Sequence, residues 1–199
     1  MMARRIAHVL SLALLAAAGA GCRASAPARF YTLDSTATAE GAPPASYAVA
    51  VGPVSVPPIV DRPQFVVQVA PNRIALEEFN RWAAPLDDNI ARAVAGNLAI
   101  LLGTPRVASG PLVPNLGPAY RVAIDVQRFE SVPGETVLVD AVWAVRKPAG
   151  RDARSGRTIA RETVAGAGFD ALAAAHSRAL AKVSADIATA IRAEADRKP

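Results

Sequence analysis

Apolar and polar positions alternate with period two through much of the chain and with a helical period in two further stretches. Tyr47–Val54 alternates and ends on Gly52-Pro53, which predicts a strand closed by a turn. Ser55–Pro63 contains Pro57, Pro58 and Pro63 and predicts a loop. Gln64–Val69 and Arg73–Phe79 predict two short strands about a Pro71-Asn72 turn. Tyr120–Val132 and Glu135–Lys147 predict a β-hairpin turning at Pro133-Gly134. In its first strand Val122, Ile124 and Val126 share the core face, opposite Arg121, Asp125 and Gln127. In its second Val137, Val139, Ala141, Trp143 and Val145 face one way. A strand over Thr158–Ala165, after the glycine- and arginine-rich loop Pro148–Arg157, completes a three-stranded antiparallel meander.

Two helices follow from the other period. Ile90, Val94, Leu98 and Leu101 form one stripe, Gly103 suits its stop, and Asp87 is placed to cap its start by accepting a free first-turn amide hydrogen. Read instead as a catalytic pair, Asp87-Asp88 lacks a companion group, so capping is the expectation. Phe169–Arg192 carries Leu172, Leu180, Val183, Ile187 and Ile191 on one stripe. The fold class expected is α/β (α+β): a single domain over residues 47–195, a mixed β-sheet with the meander packed against two main helices.

The N-terminus carries the most specific signal. Arg4 and Arg5 precede the apolar run Ile6–Gly21, which has the length of a signal-peptide core and is short for a membrane span. The end of that run, Leu14-Leu15-Ala16-Ala17-Ala18-Gly19-Ala20-Gly21-Cys22, resembles the lipobox of bacterial lipoproteins, with Gly19 standing where such sites usually carry leucine. The resemblance implies that residues 1–21 are removed and that Cys22 is acylated. It also accounts for a lone cysteine in an exported chain. One acyl chain binds a bilayer marginally and several bind it stably. Arg23 after the cysteine, by resemblance to sorting signals, directs the protein to the periplasmic face of the outer membrane. Residues 22–46, rich in Ala, Ser, Thr, Gly and Pro, read as the lipidated cysteine and a flexible tether. Within it Phe30-Tyr31-Thr32-Leu33 is either a first small strand or a segment that docks on a neighbour.

Composition narrows the function. Removal of Arg4 and Arg5 from 22 basic residues leaves 20 against 17 acidic ones, a net of +3, too mild to imply a nucleic-acid partner. No Walker, Rossmann, HExxH, nucleophile-elbow or calcium-loop pattern occurs, so no catalytic residue, no metal ligand and no cofactor beyond the covalent lipid is expected. His176 lies near the apolar stripe of the last helix; the other histidine, His8, leaves with the signal. Packing is its expected role.

Several segments resemble the ABC-type transport auxiliary lipoproteins: Phe30-Tyr31-Thr32-Leu33, Val49 through Pro57, Val60-Asp61-Arg62-Pro63-Gln64, and Arg81 through Asn89 leading into the first helix. Asp-Arg-Pro and Arg-Trp-Ala-x-Pro-Leu are the most specific. The resemblance implies a non-catalytic adaptor beside MCE-domain (mammalian cell entry) proteins, serving intermembrane transport of phospholipid or a similar hydrophobic molecule. A homo-oligomer is an accompanying expectation. The alternative is a lipoprotein that itself carries lipid. Arg62, Pro63, Arg81 and Trp82 are the candidate partner contacts. Trp82 is either an interface anchor or a core residue that sets the approach to the helix. Val56–Pro63 is either a rigid contact loop or a plain connector.

Overall fold

The computed structural model describes residues 26–39, 41–110, 117–148 and 153–197; the expected signal sequence and Cys22 lie outside them. The strands are β1 (Arg29–Tyr31), β2 (Val49–Ser55), β3 (Gln64–Ala70), β4 (Arg73–Trp82), β5 (Val107–Ser109), β6 (Tyr120–Val132), β7 (Thr136–Arg146) and β8 (Ala153–Thr163). The helices are α1 (Leu86–Leu102) and α2 (Gly168–Ala195). They build two sheets, β1-β4-β3 and β5-β2-β6-β7-β8. β1 runs parallel to β4, and β2 runs parallel to both β5 and β6; β3/β4, β6/β7 and β7/β8 are antiparallel. The expected mixed α+β fold and its meander are present, divided between two sheets.

Alternation explains the core. Val122, Ile124, Val126, Val137, Val139, Ala141, Trp143 and Val145 are all buried on one face of the large sheet. α2 packs over β7 and β8 while α1 packs over β2 and β5, and the two helices touch. Ile90, Val94 and Leu98 of α1 and Leu180, Val183, Ile187 and Ile191 of α2 fill the interface. Each such side chain contributes about 1.5–3 kcal/mol by leaving water.

Five local expectations are corrected. Gly52-Pro53 does not end its strand: it sits inside β2, where the register against β6 shifts between Val51 and Val54, and the strand runs on to Ser55. A bulge absorbs the break. Asp87 is not the N-cap. Pro85 holds that position, and Asp87 lies one residue inside the helix with its carboxylate accepting the Asp88 amide hydrogen at 2.9 Å. The Asn89 side chain secures the entry, donating to the Ala84 carbonyl at 2.9 Å. At the other end the expected stop is observed: Gly103 (φ 63°) and Thr104 donate to the Ile100 and Ala99 carbonyls, a Schellman arrangement.

β8 begins at Ala153, inside the stretch expected to be a loop. Gly156 is there because the Trp143 indole lies across it, so that a Cβ would overlap the ring. β5 was not anticipated at all.

The fifth correction concerns the tether. From Arg29 onward the described part of that segment is packed structure. Tyr31 and Leu33 are buried, and β1 pairs with β4. Beyond it the chain crosses both helices as a strap. The Asp34 amide donates to Ser177 Oγ (3.0 Å), and the Thr36 and Ala37 amides both donate to Asn97 Oδ1 (2.9 Å each). The Ala45 amide donates to the Leu102 carbonyl, and Arg192 reaches the Pro43 carbonyl at 3.1 Å. Tyr31 and Leu33 hold the start of the segment by burial, and backbone groups bound to buried polar side chains hold the part after them.

Candidate functional site

Pro57 accepts from the Val60 and Asp61 amides (3.0 and 3.1 Å), which folds the proline-rich loop into a tight turn with Val60 tucked inside. The Trp82 amide then donates to the Pro63 carbonyl (2.7 Å) and the Ala83 amide to the Tyr31 carbonyl (2.8 Å). These bonds bring residues 61–63 and 82–86, far apart in the chain, around one recess of about 350 Å³. Arg62, which lines this recess, has its Nε buried without an acceptor among the described residues. A guanidinium N–H without an acceptor is costly.

Of the four candidate contacts, Arg62, Pro63 and Trp82 line the recess and Arg81 does not. Arg81 is partly exposed on β4, bonded through Nε to the Glu78 carbonyl (2.7 Å) and paired with the Glu78 carboxylate (3.5 Å). Trp82 is 5% exposed, so its ring belongs to the core. It stacks on Phe65 (centroids 4.0 Å apart) and meets Phe129 and His176 edge-on. Tyr31 and Phe169 extend this aromatic cluster, and the Tyr31 hydroxyl donates to Asn80 Oδ1 at 2.9 Å. Trp82 therefore fixes one wall of the recess from behind.

Sequence reading missed one pairing: Ser131 Oγ and His176 Nε2 are 2.8 Å apart. Ser131 also lines a second recess of about 240 Å³ beside β3 and β4. Two thirds of a Ser-His-acid triad is thus present in outline, but its chemistry fails. His176 is wholly buried, its ring lies flat on Phe129 (3.9 Å, 7°), and Nδ1 has no partner among the described residues to orient it. Burial lowers its pKa to about 3, too weak a base to take a hydroxyl proton near neutrality. Among the described residues no group of three or more His, Cys, Asp or Glu side chains is arranged to hold a metal.

The large sheet carries ion pairs on both faces, Asp140–Arg157 on the outer one and Glu162 with Arg178 and Lys182 on the helix side. Asp140 is buried beneath Arg157, which binds it through two hydrogen bonds of 2.8 and 2.6 Å and holds its carboxyl below the usual range. Burial pushes Glu162 up, but Lys182 and Arg178 together draw it below its ordinary value. The first joins β7 to β8, and the second ties β8 to α2.

A family model described as ABC-type transport auxiliary lipoprotein component matches residues 31–188. Among solved structures, a Xanthomonas campestris protein is similar over 84% of this chain and 98% of its own, with 22% identity and a TM-score of 0.68. The crystal structure of an uncharacterized protein is similar over 83% of this chain and 99% of its own, with 21% identity and a TM-score of 0.68. These likenesses establish the fold. No curated protein matches the chain.

Proposed function

We propose, for a chain that belongs to the family of ABC-type transport auxiliary lipoprotein components, that it is the non-catalytic auxiliary component of an MCE-type intermembrane lipid transport system. In this reading Cys22 carries the lipid, the folded body stands in the periplasm on the outer membrane, and an MCE-domain protein docks on the body. The observation that carries it is the recess itself. The Asp61-Arg62-Pro63 and Trp82–Leu86 segments converge on one concavity, and a buried Arg62 N–H there lacks an acceptor. A partner's carboxylate or loop carbonyl satisfies that donor once the Arg62 side chain turns into the recess, with Pro63 and Pro85 giving rigid, low-entropy walls. The carrier alternative draws less support, because the space between sheet and helices is filled by side chains.

The test is expression in a Gram-negative host of the wild type beside Cys22→Ala and Arg62→Glu, with intact mass, membrane fractionation and recovery of bound MCE protein. An acylated wild type in the outer membrane that brings down the MCE protein, with Arg62→Glu acylated but recovering at least tenfold less, is the expected result. A soluble wild type without acyl chains sinks the anchor. Equal recovery by Arg62→Glu sinks the recess.

A further inference from the structure

Among the described residues nine large apolar side chains are exposed, and six of them belong to the small sheet or the loop entering it. These are Phe30 on β1, Ile59 before β3, Val69 on β3, and Ile74, Leu76 and Phe79 on β4, from 41% to 64% exposed. The β3–β4 hairpin turns at Pro71-Asn72, and Arg73 beside the turn is exposed and makes no ion pair among the described residues. The turn at Pro133-Gly134 flanks it across a recess of about 630 Å³, so two turns share one end of the molecule.

From this we propose that the β3–β4 hairpin is a membrane-docking element whose tip rests in the headgroup region of the bilayer that holds the lipid anchor. The inference rests on the Cys22 anchor proposed above. β1 runs parallel to β4, with Arg29 opposite Asn80, so the chain entering β1 comes from the side of the hairpin turn. Cys22 lies seven residues before Arg29, and seven residues reach at most about 25 Å. Along β4 the hairpin tip at Arg73 lies seven residues back from Asn80, about 23 Å at the rise of a strand. The acylated cysteine therefore reaches the level of the tip and scarcely beyond it. An anchor in the bilayer holds the hairpin against the surface.

The side chains nearest the tip suit that surface: Val69, Ile74 and Leu76 are exposed there, while Phe30 and Phe79 lie toward the other end of β4. Apolar residues with arginine at the boundary are the pattern of an interfacial element, because the apolar groups enter the acyl boundary while the cation meets phosphate. What favours the bilayer over a second copy of the chain is the reach of the anchor, which keeps the hairpin tip near the surface whether or not copies associate.

The test uses the full acylated protein carrying Ile74→Cys, with Ile159→Cys on the outer face of the large sheet as control. Because lipid occupies Cys22, the introduced thiol is the only one to label with an environment-sensitive fluorophore. In vesicles of phosphatidylethanolamine and phosphatidylglycerol containing a shallow spin-labelled lipid, the label at 74 is expected to be quenched several-fold more than the label at 159. Equal quenching at the two sites overturns the proposal. So does protection of the label at 74 that grows with protein concentration in detergent without vesicles, which would make the hairpin an interface between copies. Intact mass reports the anchor separately. Should Cys22 prove unacylated, the labelled proteins with Cys22→Ser are mixed with the same vesicles: quenching at 74 still supports docking by the hairpin, and its absence overturns it.

Discussion

Gly156→Ala separates two physical effects of opposite sign. A glycine within a strand is worse than alanine by roughly 0.5–1 kcal/mol, so the substitution stabilises an open edge strand. Gly156 is not open: its added Cβ would overlap the Trp143 six-membered ring. That indole is held from two sides, buried to 7% exposure and donating through Nε1 to Thr158 Oγ1 at 3.0 Å, while the Thr158 hydroxyl donates to Asp186 on α2 at 2.6 Å. Forcing it away costs about 1–3 kcal/mol of overpacking and about 1 kcal/mol of hydrogen bond, less the glycine gain. A net loss of about 2 kcal/mol follows, a Tm lower by about 4–8 °C in a chain of this size. Thermal and urea unfolding followed by tryptophan fluorescence read it directly. In the double variant Gly156→Ala/Trp143→Phe, removal of the six-membered ring relieves the overlap, so the pair is less destabilised than the sum of the single changes. A Gly156→Ala protein as stable as wild type or more so, or strict additivity, would refute the reasoning.

Asn97→Ala leaves the Thr36 and Ala37 amides without their acceptor and should cost about 2–3 kcal/mol, read as lost hydrogen-exchange protection confined first to residues 33–39. His176 has its pKa lowered from about 6.5 to about 3, so its stabilising effect is complete above pH 6.5 and declines as pH falls toward 3. Unfolding free energies from urea titrations at pH 7 and pH 5 should differ by about 2 kcal/mol from this group, a difference that His176→Phe abolishes. Asp140 is held low by Arg157; the stability it gives is present above the ordinary carboxylate pKa and is lost as pH drops through its own lower value. Asp140→Asn should flatten the acid limb of the unfolding curve without moving the neutral-pH fluorescence spectrum.

What was legible in the chain was what repeats. Val122-Ile124-Val126 and Val137 through Val145 announce their face because burial imposes period two, and the stripes of α1 and α2 do so with period 3.6. What was not legible depends on a distant partner. Gly156 read as loop chemistry because its reason, the Trp143 ring, sits on another strand. Residues 34–37 read as tether because they are held by Asn97 and Ser177 accepting backbone hydrogens, which leaves no mark in the side-chain pattern. The same holds for the recess. Resemblance singled out its two walls, but only the Trp82 amide on the Pro63 carbonyl shows that they meet. Trp82 itself could be core or surface from sequence, and the stacking on Phe65 decides for core.

The strap also changes what an anchor can do. A free tether over residues 23–46 would place the body a root-mean-square distance of about 27 Å from the lipid, whereas the six residues before Arg29 allow about 13 Å. Among the described residues after Arg29 the chain is tied down at successive points: Leu33 is wholly buried, Asp34 to Ala37 are tied to both helices, and Ala45 and Pro43 are bonded to the end of α1 and to Arg192 of α2. A pull on the proposed Cys22 lipid thus passes, once the six residues before Arg29 are drawn out, through β1 into β4 and the aromatic cluster around Trp82. The recess at Arg62 is built on the far end of that same β4 strand. On the proposed anchor its height above the bilayer varies only by the play of those six residues, where a free tether over residues 23–46 would give about twice that play.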